Sequence, residues 1–170
     1  MTTSQVKCPC GAIYERTEFS AAPRETYGFD CAVCGKEAAM SDMLEIEAAK
    51  IAQQKGNATE KTFAAQMITD HTKTSSELKG MVSGDMKAAL PNALDDSSQK
   101  KLDKLRDAKP EDFAAEYDPM QVSAHKDATS LFERYAKGGD DPKLKDWAGQ
   151  TLPALQHHLE MAQDMNKNRK

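Results

Sequence analysis

The sequence predicts a mainly α-helical protein, a four-helix bundle preceded by a small β module. All four cysteines lie within the first 34 residues. From Met40 onward β-branched residues become sparse, and alanine, leucine, methionine, lysine and glutamate dominate. Four amphipathic segments of similar length form two tight hairpins joined by one long connection, the pattern of an antiparallel bundle. The two domains are therefore expected at residues 1–37 and 40–166.

The composition narrows the class of protein. The chain has 170 residues, of which 39% are hydrophobic and 29% charged, a balance typical of a globular domain. Its formal net charge of −4 argues against nucleic acid as a partner. No apolar run approaches the roughly 18 residues that a membrane span needs. The first thirty residues contain no apolar segment typical of a secretory signal, which predicts a cytoplasmic location.

The N-terminal module contains two close cysteine pairs, Cys8 with Cys10 and Cys31 with Cys34. Two short loops that each present two sulfurs suit a tetrahedral ion, so the four thiolates are expected to bind one structural zinc. Because such a site has no open position, its zinc would stabilise the fold and carry out no reaction. Two disulfides, or a redox pair at Cys31 and Cys34, are the alternatives; a reducing compartment disfavours the disulfides.

The residues between the two pairs favour strands. Ala12–Phe19 alternates and is rich in strand formers, and Thr26–Asp30 is expected to be the return strand. The module resembles a zinc ribbon, although its first pair is C-x-C where ribbons usually have C-x-x-C. A ribbon of this kind could also bind another protein.

Boundary signals place the helices. Ser41-Asp42 is expected to cap the first helix, Gly56-Asn57 to end it, and Pro142 to open the last one. Pro119 and Pro153 are expected to bend the helices that contain them. The expected helices are residues 41–55, 59–82, 111–136 and 142–165, with a short helix at 98–105 in the long connection.

An ordered set of motifs lies on these helices. It consists of Ser41–Glu47, Thr69-Asp70-His71-Thr72-Lys73, Ala124-His125 with Leu131-Phe132-Glu133, and Leu152–Glu160. Over residues 40–166 the set resembles a bacterial ferritin-like family of unknown function whose members are often labelled as exported or outer-membrane proteins. The resemblance implies a ferritin-like four-helix bundle and no established reaction. The chain departs from that family in two ways: a cysteine module replaces the usual export signal, and Ala114 replaces the acidic residue that usually follows Phe113.

Three of the four histidines lie on the inward stripes of three different helices: His71, His125 and His158. His157 lies on the adjacent face and is expected to be solvated. Imidazole nitrogens that meet inside a bundle are good ligands for zinc, copper, iron or nickel. The simpler alternative is that each histidine fills the core and bonds a nearby carboxylate, for which Asp70, Glu77, Glu133 and Glu160 are the candidates.

Helix geometry indicates which groups share one level of the bundle. Glu45 and His71 lie about 11 and 12 residues either side of the first turn, so their heights match within roughly 2 Å. His125 lies about 11 residues before the second turn, near the middle of the bundle. His158 lies about 16 residues beyond that turn and reaches the others only if the bend at Pro153 helps.

The sequence excludes several reaction classes. No Glu-x-x-His occurs, and the ferritin-like di-iron site needs two. No nucleophile motif or glycine-rich phosphate loop is present. The sequence therefore predicts a non-enzymatic metal-binding or interaction protein with structural zinc in the ribbon; a second transition metal in the bundle is one of the two interpretations of the inward histidines. The alternatives are a mononuclear metalloenzyme that uses Glu45, His71 and His125, or an adaptor that binds protein or nucleic acid through the ribbon.

Overall fold

The computed structural model describes residues 2–8, 13–18, 32–139 and 141–169. Within these ranges the chain forms one two-stranded sheet followed by six helices. The strands and helices, in chain order, are β1 (Thr2–Lys7), β2 (Ile13–Glu18), α1 (Ala32–Lys55), α2 (Ala58–Met81), α3 (Gly84–Ala89), α4 (Asp96–Asp107), α5 (Phe113–Gly138) and α6 (Pro142–Lys167).

The four long helices are α1, α2, α5 and α6. Helices α1 and α2 form one hairpin and α5 and α6 the other, while α1 also packs on α5 and α2 on α6. Helix α2 ends at the same end of the bundle as α5 does, so α5 begins at the opposite end. The connection between the hairpins, which carries α3 and α4, therefore runs the length of the bundle. The prediction of a mainly α-helical fold with four long helices is confirmed.

The first helix begins nine residues earlier than expected, at Ala32 and not at Ser41. The Ser41-Asp42 pair is not a cap: Asp42 lies inside α1, where its side chain is buried. The three residues before the Ser41-Asp42 pair, Ala38-Ala39-Met40, are good helix formers and extend the helix toward the N-terminus. The boundary expected between the two domains, at residues 37–40, therefore falls inside one continuous helix.

The other boundaries follow ordinary helix chemistry. The Asn57 side chain accepts hydrogen bonds from the backbone at the start of α2, and the Glu60 carboxylate accepts one from the Asn57 N–H, which completes a capping box. Gly56 makes the turn before it, where a Cβ would stand 2.6 Å from the Ala52 carbonyl oxygen. Pro142 opens α6 as expected.

Both internal prolines lie within continuous helices. Pro119 has no N–H to offer the Ala115 carbonyl, and Arg169 Nη1 lies 3.5 Å from that oxygen as a replacement donor. The C-terminal end of α6 is thereby tied to the first turns of α5.

The N-terminal strands pair antiparallel, with Thr2 opposite Glu18 and Lys7 opposite Ile13. Strand β2 matches the strand expected at Ala12–Phe19, whereas β1 was not predicted. The expected return strand at residues 26–30 lies outside the described residues, so the β zinc ribbon stays a prediction.

The core consists of two apolar clusters. The cysteine-end cluster contains Cys8, Cys34, Ala38, Ala39, Leu78, Val82, Ala128, Leu131, Phe132, Tyr135, Leu144, Ala148 and Leu155. The other cluster, which we call the cleft-end cluster because a surface cleft opens beside it, contains Leu44, Ala48, Ala49, Ile51, Ala52, Phe63, Ala64, Met67, Leu102, Leu105, Phe113, Tyr117, Ala162 and Met165. Between them, on each long helix, lie buried polar side chains, which we call the polar layer: Asp42, Glu45, His71, Gln121, His125 and His158.

None of the helices in the described ranges has the length and apolar character needed to cross a membrane.

Candidate metal centre

Three histidines from three helices meet in the polar layer. His71 on α2, His125 on α5 and His158 on α6 are each at most 2% exposed. Each lies on the apolar stripe of its helix, between residues that belong to the two core clusters. We call these three residues the histidine centre. The packing of both hairpins against each other thus fixes its position.

The three imidazoles form a nearly equilateral triangle. Their ring centroids are 5.6 Å apart for His71 and His125, 5.7 Å for His71 and His158, and 5.5 Å for His125 and His158. One nitrogen from each ring lies within 4.8 Å of the other two. Three nitrogens bound to one tetrahedral ion at about 2.0–2.1 Å would stand about 3.3 Å apart. Small side-chain rotations would bring them to that spacing.

The opposite nitrogen of each ring is held by an oxygen. The Nδ1 of His71 lies 2.8 Å from Asp42 Oδ1, and the Nε2 of His158 lies 2.8 Å from Asp70 Oδ2. The Nδ1 of His125 lies 2.9 Å from the Gln121 carbonyl oxygen, one turn back on α5. Because these oxygens only accept, each of these nitrogens carries the proton.

The remaining nitrogens are His71 Nε2, His125 Nε2 and His158 Nδ1. Each is buried and has no hydrogen-bond partner among the described residues. When the rings are neutral, the oxygens fix the tautomers in which each of these nitrogens presents a lone pair; a bound ion would displace the proton that His71 Nε2 carries in its charged form. Metal-binding histidines have this arrangement, with one nitrogen on the ion and the other on a carboxylate or carbonyl.

Asp42 is itself held in place. The Thr74 hydroxyl lies 3.0 Å from each of its carboxylate oxygens. Thr74 lies one turn beyond His71 on α2, so one helix positions both the imidazole and the residue that orients its partner. The Asp42–His71 pair thereby joins α1 to α2 in the middle of the bundle.

Glu45 adds a second buried carboxylate to the centre. It is 1% exposed, and neither of its oxygens has a hydrogen-bond partner within the described part of the chain. Its charge acts to raise the pKa of both His71 and His125. Its oxygens do not belong to the set of atoms within 4.8 Å of one another.

The protonation of the three imidazoles differs. Burial lowers the pKa of His125 and lowers that of His158 to about 4, so both are neutral at pH 7. Burial also acts against the charged form of His71, but the bond to Asp42 and the charges of Glu45 and Asp70 outweigh it and raise the pKa of His71. Burial is the main cause that raises the pKa of Asp42.

This charge distribution favours a cation. Asp42, Glu45 and Asp70 surround three imidazoles of which two are neutral. A divalent ion among the three lone pairs would offset the negative charge in a place with little solvent to screen it. A three-histidine set also leaves a tetrahedral ion with a fourth position.

Sequence reasoning identified all three histidines and Glu45 but missed Asp42. His158, expected to lie a turn too far along the bundle, converges with the others. Asp70 was among the expected partners and bonds His158; Glu77 bonds the Trp147 indole instead. The sequence feature that indicates an oxygen partner for a histidine of the centre is the Asp70-His71 dipeptide. Its two side chains diverge by about 100° on a helix, so they face two different neighbouring helices.

At the other end of the bundle two of the predicted zinc ligands come together. The sulfurs of Cys8 and Cys34 are 3.5 Å apart, and both residues are buried. Cys34 lies in the first turn of α1, and Cys8 directly follows β1. Cys10 and Cys31 lie outside the described residues.

Comparison with known proteins gives one match. A family described as a domain of unknown function (DUF4142) matches residues 21–165, which include the four long helices almost completely. No curated protein and no solved structure matches the chain.

Proposed function

The chain belongs to the DUF4142 family, whose description assigns no reaction, and on that premise we propose that it binds a single divalent transition-metal ion at the histidine centre. His71, His125 and His158 would supply three nitrogen ligands. Two observations together carry the proposal: one nitrogen of each ring lies within 4.8 Å of one on each of the other two, and each ring has one buried nitrogen without a partner in the described residues while an oxygen fixes the other.

The competing interpretation, three core histidines with no ligand, is energetically less favourable. Histidines that only fill a core normally satisfy both ring nitrogens. Here each of the three would keep one buried nitrogen without a partner in the described residues, at about 1–3 kcal/mol apiece. Glu45 would add an unpaired buried carboxylate to this cost.

The ligands restrict the kind of ion. Imidazole suits zinc, copper, iron and nickel, whereas calcium and magnesium prefer oxygen. The four long helices with one long crossover are the connectivity of ferritin-like folds, and we propose that kinship for this bundle. The chain has no Glu-x-x-His, so the proposed site is mononuclear and differs from the di-iron site of that fold.

The cysteine module is proposed to hold a structural zinc with Cys8, Cys10, Cys31 and Cys34. Thiolates at about 2.3 Å from a tetrahedral zinc lie about 3.8 Å from one another, close to the 3.5 Å between the Cys8 and Cys34 sulfurs. The N-terminus of α1 also favours a thiolate at Cys34. Such a site fits a reducing compartment such as the cytoplasm.

The test is a metal titration of the full chain. With one equivalent of zinc added first, which the four thiolates should bind in preference to the three imidazoles, Co²⁺ should bind with a stoichiometry of one, and its visible spectrum should indicate nitrogen ligands. His125→Ala should abolish this binding, while His157→Ala, which removes an exposed imidazole, should leave it unchanged. If wild type binds no further ion, or if His125→Ala binds as wild type does, the proposal fails.

A second candidate, a metalloenzyme, is favoured by one observation: the unpaired Glu45 carboxylate beside the three nitrogens. Glu45 would serve either as a fourth ligand or as a base acting on a bound water. Glu45→Gln separates the two roles. A fall in metal affinity indicates a ligand, whereas unchanged affinity with a lowered pKa of the bound water, which has lost a neighbouring negative charge, indicates a carboxylate that acts on that water.

A further inference from the structure

A cleft opens at the end of the bundle away from the cysteines. It lies where α2 begins, α5 begins and α6 ends. Its lining residues are Asn57, Ala58, Thr59, Thr62, Phe63, Ala114, Asp118, Met161, Asp164, Met165, Asn168 and Arg169. Asp118 forms part of its floor, because it lines the cleft and yet is only 2% exposed.

A column of buried polar side chains runs along α5 from the histidine centre toward this cleft. His125, Gln121 and Tyr117 follow at intervals of four residues, and each step is about 6 Å along the helix. Gln121 and Tyr117 have no measurable exposure, and their side-chain polar atoms have no hydrogen-bond partner in the described ranges. Such groups are costly in a core and call for a role.

The column ends on two carboxylates. Asp118 Oδ1 and Glu60 Oε1 are both buried and without a partner among the residues described, whereas Glu60 Oε2 accepts from the Asn57 N–H in the capping box. The Tyr117 hydroxyl belongs to the residue directly before Asp118 on α5. Burial and then the charges of Glu45, Asp118 and Glu60 raise its pKa, so it lies within electrostatic reach of carboxylates at both ends.

Phe63 shows how short the distance is from the cleft to the centre. Its ring lines the cleft, and its centroid is 5.9 Å from that of His125 and 6.4 Å from that of Tyr117. A single aromatic ring therefore lies between the cleft and an imidazole of the histidine centre.

We propose that Asp118 and Glu60 form a capture site, where a divalent transition-metal cation from solvent first binds before it passes along Tyr117 and Gln121 to the histidine centre. The inference rests on the proposed function, since it assigns that site its route of loading. Negative charge makes a cation the expected occupant, because the two buried carboxylates, Asp118 and Glu60, outnumber the Arg169 guanidinium that lines the cleft.

The proposal predicts an effect on rates rather than on affinity. A group on the route speeds entrance and exit equally, so its loss should slow both and leave Kd unchanged. Focusing of a cation by buried carboxylates accelerates association by at least about tenfold. Asp118→Asn should therefore lower the association and dissociation rate constants for Co²⁺ by about tenfold each, with Kd within about twofold of wild type.

The experiment is stopped-flow mixing of the full chain with Co²⁺ at pH 7.5, after one equivalent of zinc has been bound at the cysteine site so that the histidine centre is left empty. The signal is assigned to the histidine centre by its loss in His125→Ala. Asp164→Asn is the matched control, because it removes the same charge from an exposed position in the same cleft. Tyr117→Phe, which removes only the buried hydroxyl, should slow both rates as well.

The outcomes separate the two proposals. If wild type binds Co²⁺ but Asp118→Asn and Tyr117→Phe bind it as fast as Asp164→Asn does, the capture site is wrong and the histidine centre stands. A change in Kd with unchanged association would also refute the route. If wild type binds no Co²⁺ at all, both proposals fail.

Discussion

Two neighbouring histidines of α6 show how strongly position decides chemistry. His158 faces the polar layer and is 2% exposed, and its Nε2 donates to Asp70. The side chain of His157, one residue earlier, is 61% exposed and lies 4.0 Å from Glu160 on the same helix. The pair therefore offers a buried imidazole and a solvated one in the same segment, which makes each the control for the other.

The apo protein should lose stability on acidification because of His158. Burial lowers its pKa from 6.5 to about 4, so between these values the unfolded chain binds more protons than the native one. The contribution is complete above pH 6.5 and is lost as the pH falls toward 4, at about 2–3 kcal/mol. The lowered pKa of His125 acts in the same direction, whereas the raised pKa of His71 acts in the opposite one.

The measurement is urea unfolding of metal-free protein at several pH values from 4 to 8. His158→Gln should flatten the slope between about pH 6.5 and 4, because the amide has no proton to gain and can still donate to Asp70. His157→Gln should keep the wild-type slope. Equal slopes for wild type and His158→Gln would show that this imidazole is not held neutral by the fold.

At the site, the sequence revealed the candidate ligands more readily than their outer partners. Inward stripes with a period of 3.6 residues predicted the buried faces of His71, His125 and His158, because a helix repeats its environment regularly. Asp42 was missed because a serine-aspartate pair before an apolar stripe also fits a cap. Only its neighbours across the bundle, His71 and Thr74, distinguish the two roles, and that contact joins different helices.

Among the elements, the long helices were predictable and the connection between the hairpins was only partly so. Turn signals at Gly56-Asn57 and at Pro142 located both hairpins within a few residues. The short helix α4 was expected and is longer than predicted, while α3 was not expected. Helix α3 begins at Gly84, whose φ of 53° is a conformation that glycine adopts without strain. In a sequence, such a glycine is typical of the end of a helix, so it hid the start of α3.

Pro153 is the feature of α6 that bears most directly on the histidine centre. It is exposed, lies inside a continuous helix and precedes His158 by five residues. A proline in a helix interior removes one hydrogen bond and bends the axis. Pro153→Ala should therefore raise the unfolding free energy of the apo protein by about 1–3 kcal/mol.

We expect the same change to weaken metal binding, because the loss of a bend caused by Pro153 would shift the His158 nitrogen relative to His71 and His125. We expect a Co²⁺ Kd about tenfold higher, as for loss of an orienting group. Gln156→Ala, an exposed change on the same turn, should alter neither quantity. If the Kd is unchanged in Pro153→Ala while stability rises, the bend has no part in positioning His158.

At the scale of the whole molecule, the polar layer divides the core into two apolar clusters. Each of the four long helices contributes to both clusters and to the layer between them. The pairing of α1 with α5 and of α2 with α6 produces this arrangement. Sequence periodicity finds the buried face of each helix but says nothing about which helix it meets, so the convergence of three histidines required the tertiary structure.

Two of the cysteines belong to one of these clusters and not to a separate module alone. Cys8 and Cys34 are part of the cysteine-end cluster, and Cys34 lies on the same helix as Glu45. A change at Cys34 should therefore affect that end of the bundle as well as the N-terminal residues. The cleft-end cluster contains neither cysteine and should keep its packing.

Cys34→Ser should accordingly release the zinc proposed for that site. The buried hydroxyl should lower the unfolding free energy by at least about 1–3 kcal/mol, while most of the far-UV helical signal is retained. Ala38→Ser is the matched control: it buries a hydroxyl one turn further along α1 in the same cluster and removes no thiolate. Zinc content by mass spectrometry and urea unfolding followed by circular dichroism distinguish the two variants. An unchanged zinc content in Cys34→Ser would remove that residue from the ligand set, and collapse of the helical signal would show that both ends of the bundle depend on the cysteine site.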